Sequence, residues 1–78
     1  MELNILKKVL VEVLSVDESE IHLETTFLGD LGADSLDIYQ IILKLEDALQ
    51  LHFEAKDVEK IETVGQALAL IESMEKAV

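Results

Sequence analysis

Apolar side chains recur at Leu3, Leu6, Val9, Leu10, Val13 and Leu14, in steps of three and four that put them on one helical face. Lys7, Lys8 and Glu12 fall on the other face, so the spacing predicts an amphipathic helix over residues 2–15. The pattern then breaks from Ser15 to Asp34. That stretch holds Gly29 and Gly32 together with Ile21, Leu23, Phe27, Leu28 and Leu31. A connection this apolar is expected to pack its side chains back on the core. An ordered loop of about 20 residues in a small domain also points to function. Helical spacing resumes over 35–50, with Asp34 or Ser35 placed to cap it and Asp37 in its first turn. Residues 51–62 are ambiguous, because Val58 and Ile61 fit one short helical turn or two starting near Ala55. Thr63 followed by Gln66 matches a capping box and opens a last helix carrying Val64, Ala67, Leu68, Ile71 and Met74. No alternating strand pattern, repeat or low-complexity segment interrupts this. The expected fold is all-α: a four-helix bundle with a short third helix and a long loop between helices one and two.

The second helix is apolar on two sides. Ile38, Ile41, Ile42, Leu45 and Leu49 suit a core face, while Leu36, Tyr39 and Leu43 lie elsewhere on the helix. Asp37, Gln40, Lys44 and Asp47 form a polar stripe between the two sets. Such a helix is either sandwiched or turns one side to a partner. Complete sandwiching is hard to arrange in a bundle this small.

Composition narrows the classes. The chain has 78 residues, 17 Asp plus Glu against 6 Lys, no Arg and a formal net charge of −11. Half of it is apolar, too much for a disordered acidic tail. The length fits one domain spanning residues 1–78. The acidity excludes nucleic-acid and anionic-membrane binding, which need a basic face. No run approaches the roughly 20 apolar residues that cross a bilayer. Met1-Glu2-Leu3-Asn4 lacks the basic and apolar runs of a secretory signal, so a cytoplasmic location is the default expectation. Without Cys there is neither a disulfide framework nor a thiolate metal site.

The candidate chemistry centres on Ser35. No Gly-x-Ser-x-Gly elbow surrounds it, and His22 and His52 are remote in sequence and expected to be solvated. Asp30, Asp34 and Asp37 lack the order of a calcium loop, so no dedicated metal site is expected. Eight acids and no Lys lie between Lys8 and Lys44. That run is either a solvated face or a docking field for a basic partner. Ser35 stands where Leu31-Gly32-Ala33-Asp34 turns into the two-faced helix. One reading makes it a helix cap. The other makes it an exposed hydroxyl at a helix N-terminus, where the dipole and free N–H groups favour an attached phosphate.

Gly32-Ala33-Asp34-Ser35-Leu36-Asp37 resembles the prosthetic-group attachment motif of acyl carrier proteins, particularly the type used in bacterial fatty acid synthesis. Phe27-x-x-Asp30-Leu31-Gly32 upstream and Glu59-Lys60-Ile61-x-Thr63-Val64 downstream are similar to the same family, so the resemblance covers essentially the whole chain. It implies that Ser35 carries 4′-phosphopantetheine, transferred from coenzyme A by a phosphopantetheinyl transferase (holo-carrier synthase). Acyl groups then ride as thioesters on the arm's thiol, which a protein without Cys can present in this way. The resemblance further implies a non-enzymatic, monomeric carrier that meets malonyl transferase, ketosynthases and other acyl-handling enzymes with basic patches. Asp34, Leu36, Asp37, Tyr39, Leu43, Glu46 and Asp47 would form the docking face. Helices one, two and four would surround an acyl cleft lined by Ile38, Ile41, Leu45, Leu49, Ile61, Leu68 and Ile71.

The chain departs from that pattern at several positions. Family members of the fatty-acid type commonly have Glu where Gln40 stands, and acidic positions around His52, Ala55 and Lys56. Glu54 replaces a frequent Pro, and Lys44 adds a cation to the second helix. Charge is thereby concentrated before and just after Ser35. These departures bear on which enzymes dock and keep open a specialised acyl, polyketide or aminoacyl carrier. An unmodified acidic interaction module on the same scaffold is the remaining reading.

Overall fold

The 3- and 4-residue apolar spacing at the start of the chain forms α1, Glu2–Leu14, which buries Leu6, Val9 and Leu10. In the computed structural model, which describes residues 2–76, three further helices follow: α2 (Ser35–Leu49), α3 (Ala55–Glu59) and α4 (Val64–Lys76). α2 contributes Ile41, Ile42 and Leu45 to the core, and α4 contributes Val64, Ala67 and Ile71. The result is the four-helix bundle with a short third helix that the sequence predicts. Val58 falls within that short helix, whereas Ile61 lies just beyond its end.

The long α1–α2 connection is ordered by its own polar atoms. Asp17 and Glu20 form a capping box around one 3₁₀ turn, Glu18–Glu20, an element that apolar periodicity does not register. Buried Thr25 accepts from the His22 N–H at 2.9 Å through Oγ1, which also donates to the Glu20 carbonyl at 3.4 Å. The strand of loop that follows is stitched to the α3–α4 junction. Phe27 N–H donates to the Glu62 carbonyl at 3.1 Å, Val64 N–H to Thr25 at 2.9 Å and Gly65 N–H to Leu23 at 2.8 Å. Gly65 is required for this approach: a Cβ there would stand 2.9 Å from the Leu23 carbonyl oxygen.

The loop's apolar residues divide, which corrects the expectation that all of them pack inward. Ile21 and Phe27 are buried and Leu31 packs against the core, but Leu23 and Leu28 are half to two-thirds exposed. The backbone bonds above fix the loop, so the remaining side chains go where the pinned backbone points them. His22 and His52 are both exposed, as expected.

Candidate functional site

Everything around Ser35 follows from how α2 begins. Gly32 adopts φ +67°, a left-handed conformation that glycine takes without steric cost. Asp34 is the N-cap: its Oδ1 accepts the Asp37 N–H at 2.9 Å, and Asp37 Oδ2 accepts the Asp34 N–H at 3.3 Å. This reciprocal box decides between the two sequence candidates for the cap. Ser35 becomes the first helical residue, exposed, and no side-chain hydrogen bond engages its hydroxyl among the described residues. Asp30 is similarly occupied, accepting the Thr26 N–H at 2.9 Å while its own N–H donates to Thr26 Oγ1. The acids nearest the serine therefore hold the backbone that presents it. Among the described residues no group of three ligating side chains gathers to hold a metal.

Ser35 stands at the edge of a cavity of about 660 Å³. Phe27, Ile38, Ile42, Phe53, Val58 and Ile61 give it an apolar wall, and Tyr39, Glu46, His52, Glu59 and Glu62 add polar groups. The cavity lies between α2, α3 and the end of the long loop, a different place from the cleft among helices one, two and four that the family resemblance implies. Of the expected lining, Ile38 and Ile61 face the cavity. Ile41 and Leu45 reach only a void of about 10 Å³ behind it, and Leu49, Leu68 and Ile71 line neither. α1 packs on both α2 and α4 there, and Leu6, Leu10, Leu45, Val64 and Ile71 are fully buried between them. Phe53 and Val58, in the ambiguous 51–62 stretch, and Phe27, in the α1–α2 connection, are lining residues that helical spacing misses.

The expected docking residues separate by direction. Successive residues step about 100° around a helix, so Leu36, Leu43 and Asp47 stack into one outward stripe. Leu36 is 66% exposed, Tyr39 60% and Leu43 46%. Tyr39 lies on the cavity side of that stripe and Asp37 on the α1 side. Glu46 turns inward, its Oε2 accepting the Phe53 N–H at 2.8 Å. Lys44 Nζ reaches Glu12 of α1 at 3.5 Å, an exposed pair that adds little stability but draws the cation off the stripe.

Crowded acids shape the far end as well, where α1 begins and α4 ends. Desolvation first, then the proximity of Glu2 and Glu72, raises the Glu75 carboxyl above its ordinary value. A raised carboxyl means the folded state holds its proton more tightly, so this contact opposes folding at neutral pH and is relieved as the pH falls. Repulsion among surface acids is screened over about 8 Å at physiological ionic strength. Added NaCl or millimolar Mg²⁺ or Ca²⁺ is therefore expected to raise the melting temperature, by about 4–8 °C for each kcal/mol of repulsion relieved. A flat or falling melting temperature across that titration would show the repulsion to be unimportant.

The Ser35 hydroxyl thus stands unengaged at a capped helix start, beside a largely apolar cavity on an acidic bundle. Residues 4–71 match the family model described as "Phosphopantetheine attachment site". The chain belongs to the acyl carrier protein family. It is 46% identical over 66 residues to the acyl carrier proteins of Clostridium perfringens strains SM101 and 13, covering 85% of this chain and 87% of each relative. A solved structure described as a candidate acyl carrier protein from Mycobacterium tuberculosis superposes with a TM-score of 0.88 at 26% identity. That match covers 94% of this chain and 97% of the other. The protein is thus a carrier of acyl chains whose prosthetic group is 4′-phosphopantetheine. No helix among the described residues is long and apolar enough to cross a membrane.

Proposed function

We propose that Ser35 is the attachment residue and that the protein, acting as one cytoplasmic domain, delivers growing acyl chains to the enzymes of fatty acid biosynthesis. The observation that carries this reading is the Ser35 hydroxyl, free of capping duty and placed at the cavity edge. The residues fit the group. An ester at Ser35 disturbs no hydrogen bond given above, and the apolar wall beside it suits an alkyl chain. When bound, 4′-phosphopantetheine supplies a terminal thiol on which acyl groups form thioesters. The chain's own residues present, orient and shelter, and catalysis belongs to the partners.

Those partners are a phosphopantetheinyl transferase, malonyl transferase and ketosynthases with basic patches. Leu36, Leu43 and Asp47, flanked by Asp34, Asp37 and Tyr39, form the face that meets them, apolar in the middle and anionic at the margins. Gln40, Lys44 and Lys56 prompt the alternative of a specialised carrier, but each lysine has an acid beside it: Glu12 at 3.5 Å and Glu54 at 3.9 Å. That pairing favours the fatty-acid reading. The test is direct. Incubation with coenzyme A, Mg²⁺ and a phosphopantetheinyl transferase is expected to add the mass of one arm, after which malonyl transferase loads the holo protein and a ketosynthase elongates it. An unchanged mass would refute attachment, and loading without elongation would refute the pathway.

A further inference from the structure

The third helix is the most weakly held wall of the cavity. It has five residues, buries none of them, and its N-cap Glu54 makes no side-chain capping bond. A helix of that length does not persist on its own hydrogen bonds, so its place depends on Val58 packing against the core and on where its two ends are tied. Beyond its C-terminal end, the Glu62 carbonyl accepts the Phe27 N–H at 3.1 Å. Before its N-terminal end, the tie is one side chain on α2. Glu46 Oε2 accepts the Phe53 N–H at 2.8 Å, and the Phe53 ring is buried beneath that bond. Glu46, with its side chain only 22% exposed, and Phe53 both line the cavity. The same carboxylate oxygen lies 3.4 Å from Nδ1 of His52, which is 85% exposed. Between Glu46 and Phe53 the chain passes through Gln50 at φ +56°, a left-handed conformation that costs a non-glycine residue energy.

We propose that Glu46 is a positioning residue for the cargo: its carboxylate latches Phe53, and with it the α3 wall, against α2, and loss of the latch opens the cavity and exposes the sheltered chain. The inference rests on the reading that the cavity shelters an acyl chain. It gives Glu46 a different task from the docking role that family resemblance implies. What matters is an acceptor oxygen pointing inward, not a negative charge pointing outward.

The experiment compares octanoyl and acetyl thioesters of the holo protein, released by hydroxylamine, in the wild type, Glu46→Ala and Glu46→Gln. Acetyl is too short to need the cavity and serves as the internal reference. In the wild type, octanoyl is expected to be released more slowly than acetyl. Glu46→Ala is expected to speed octanoyl release and Phe53 amide exchange by at least about tenfold, which converts to about 1.4 kcal/mol, just under the lower end for a hydrogen bond to a charged acceptor. Acetyl release should not change. Glu46→Gln keeps a carbonyl oxygen for the Phe53 N–H and is expected to restore most of the protection. Full octanoyl protection in Glu46→Ala, or equal loss in Ala and Gln variants, would overturn the latch. Octanoyl and acetyl leaving the wild type at the same rate would instead overturn the cavity as a shelter.

Discussion

Replacing Ser35 with Ala is expected to abolish attachment of the arm completely while changing stability by no more than about 0.5 kcal/mol. Both halves of that result follow from the start of α2. The helix is capped by Asp34 and Asp37, whose carboxylates accept each other's N–H groups. Ser35 occupies the first helical position with an exposed side chain, so its hydroxyl contributes nothing that folding needs. Ala at that position also has favourable helix propensity. Asp34→Ala should behave in the opposite way, keeping the acceptor hydroxyl but costing about 1 kcal/mol as the N-cap is lost. Intact mass after incubation with coenzyme A and a transferase, read beside urea denaturation, separates the two. Arm addition to Ser35→Ala would reassign the attachment residue. A large loss of stability in that variant would mean that the serine, not Asp34, caps α2.

The sequence is most legible where one physical rule acts alone. Helical spacing locates α1, α2 and α4 because burial of a single stripe decides each of them, and Thr63 with Gln66 announces the start of α4 through local hydrogen bonding. Gln66 Oε1 accepts the Thr63 N–H at 3.1 Å, and Gln66 N–H donates to Thr63 Oγ1 at 3.1 Å. Legibility fails where distant segments share the decision. Leu23 and Leu28 look like core residues by composition, yet bonds from Gly65 and Val64 to the Leu23 and Thr25 carbonyls fix the loop and leave both leucines outside. The cavity is invisible for the same reason. Its wall joins Phe27, Ile42, Phe53 and Val58, residues from four segments whose meeting depends on how a five-residue helix is tied down. Glu46 shows the limit most clearly. One acid among many in the sequence, it differs from its neighbours only in aiming at a backbone N–H seven residues away.

Leu45→Ala is expected to cost about 3 kcal/mol, whereas Leu43→Ala, two residues earlier on the same helix, should cost less than about 1 kcal/mol. Leu45 is 1% exposed and stands at the centre of the bundle, beside Leu6, Ile41 and Ala67 around the small interior void. Truncation there removes transfer free energy and enlarges a void that three packed helices cannot collapse to fill. Leu43 keeps nearly half of its surface in water in the folded state, so less burial is lost. Globular domains hold about 0.05–0.15 kcal/mol per residue, or about 4–12 kcal/mol for a chain of this length. A loss of about 3 kcal/mol is therefore a large fraction of the whole, and a larger fraction at low salt, where repulsion among the acids lowers the total. Urea midpoints at 0.15 M NaCl give the comparison, with an unchanged denaturant slope as the sign that both variants still unfold in one step. Equal costs at the two positions would place both leucines in the core and remove the apolar centre of the proposed docking face. The expected inequality means that α2 uses one side to hold the bundle together and leaves the other for the proposed docking face.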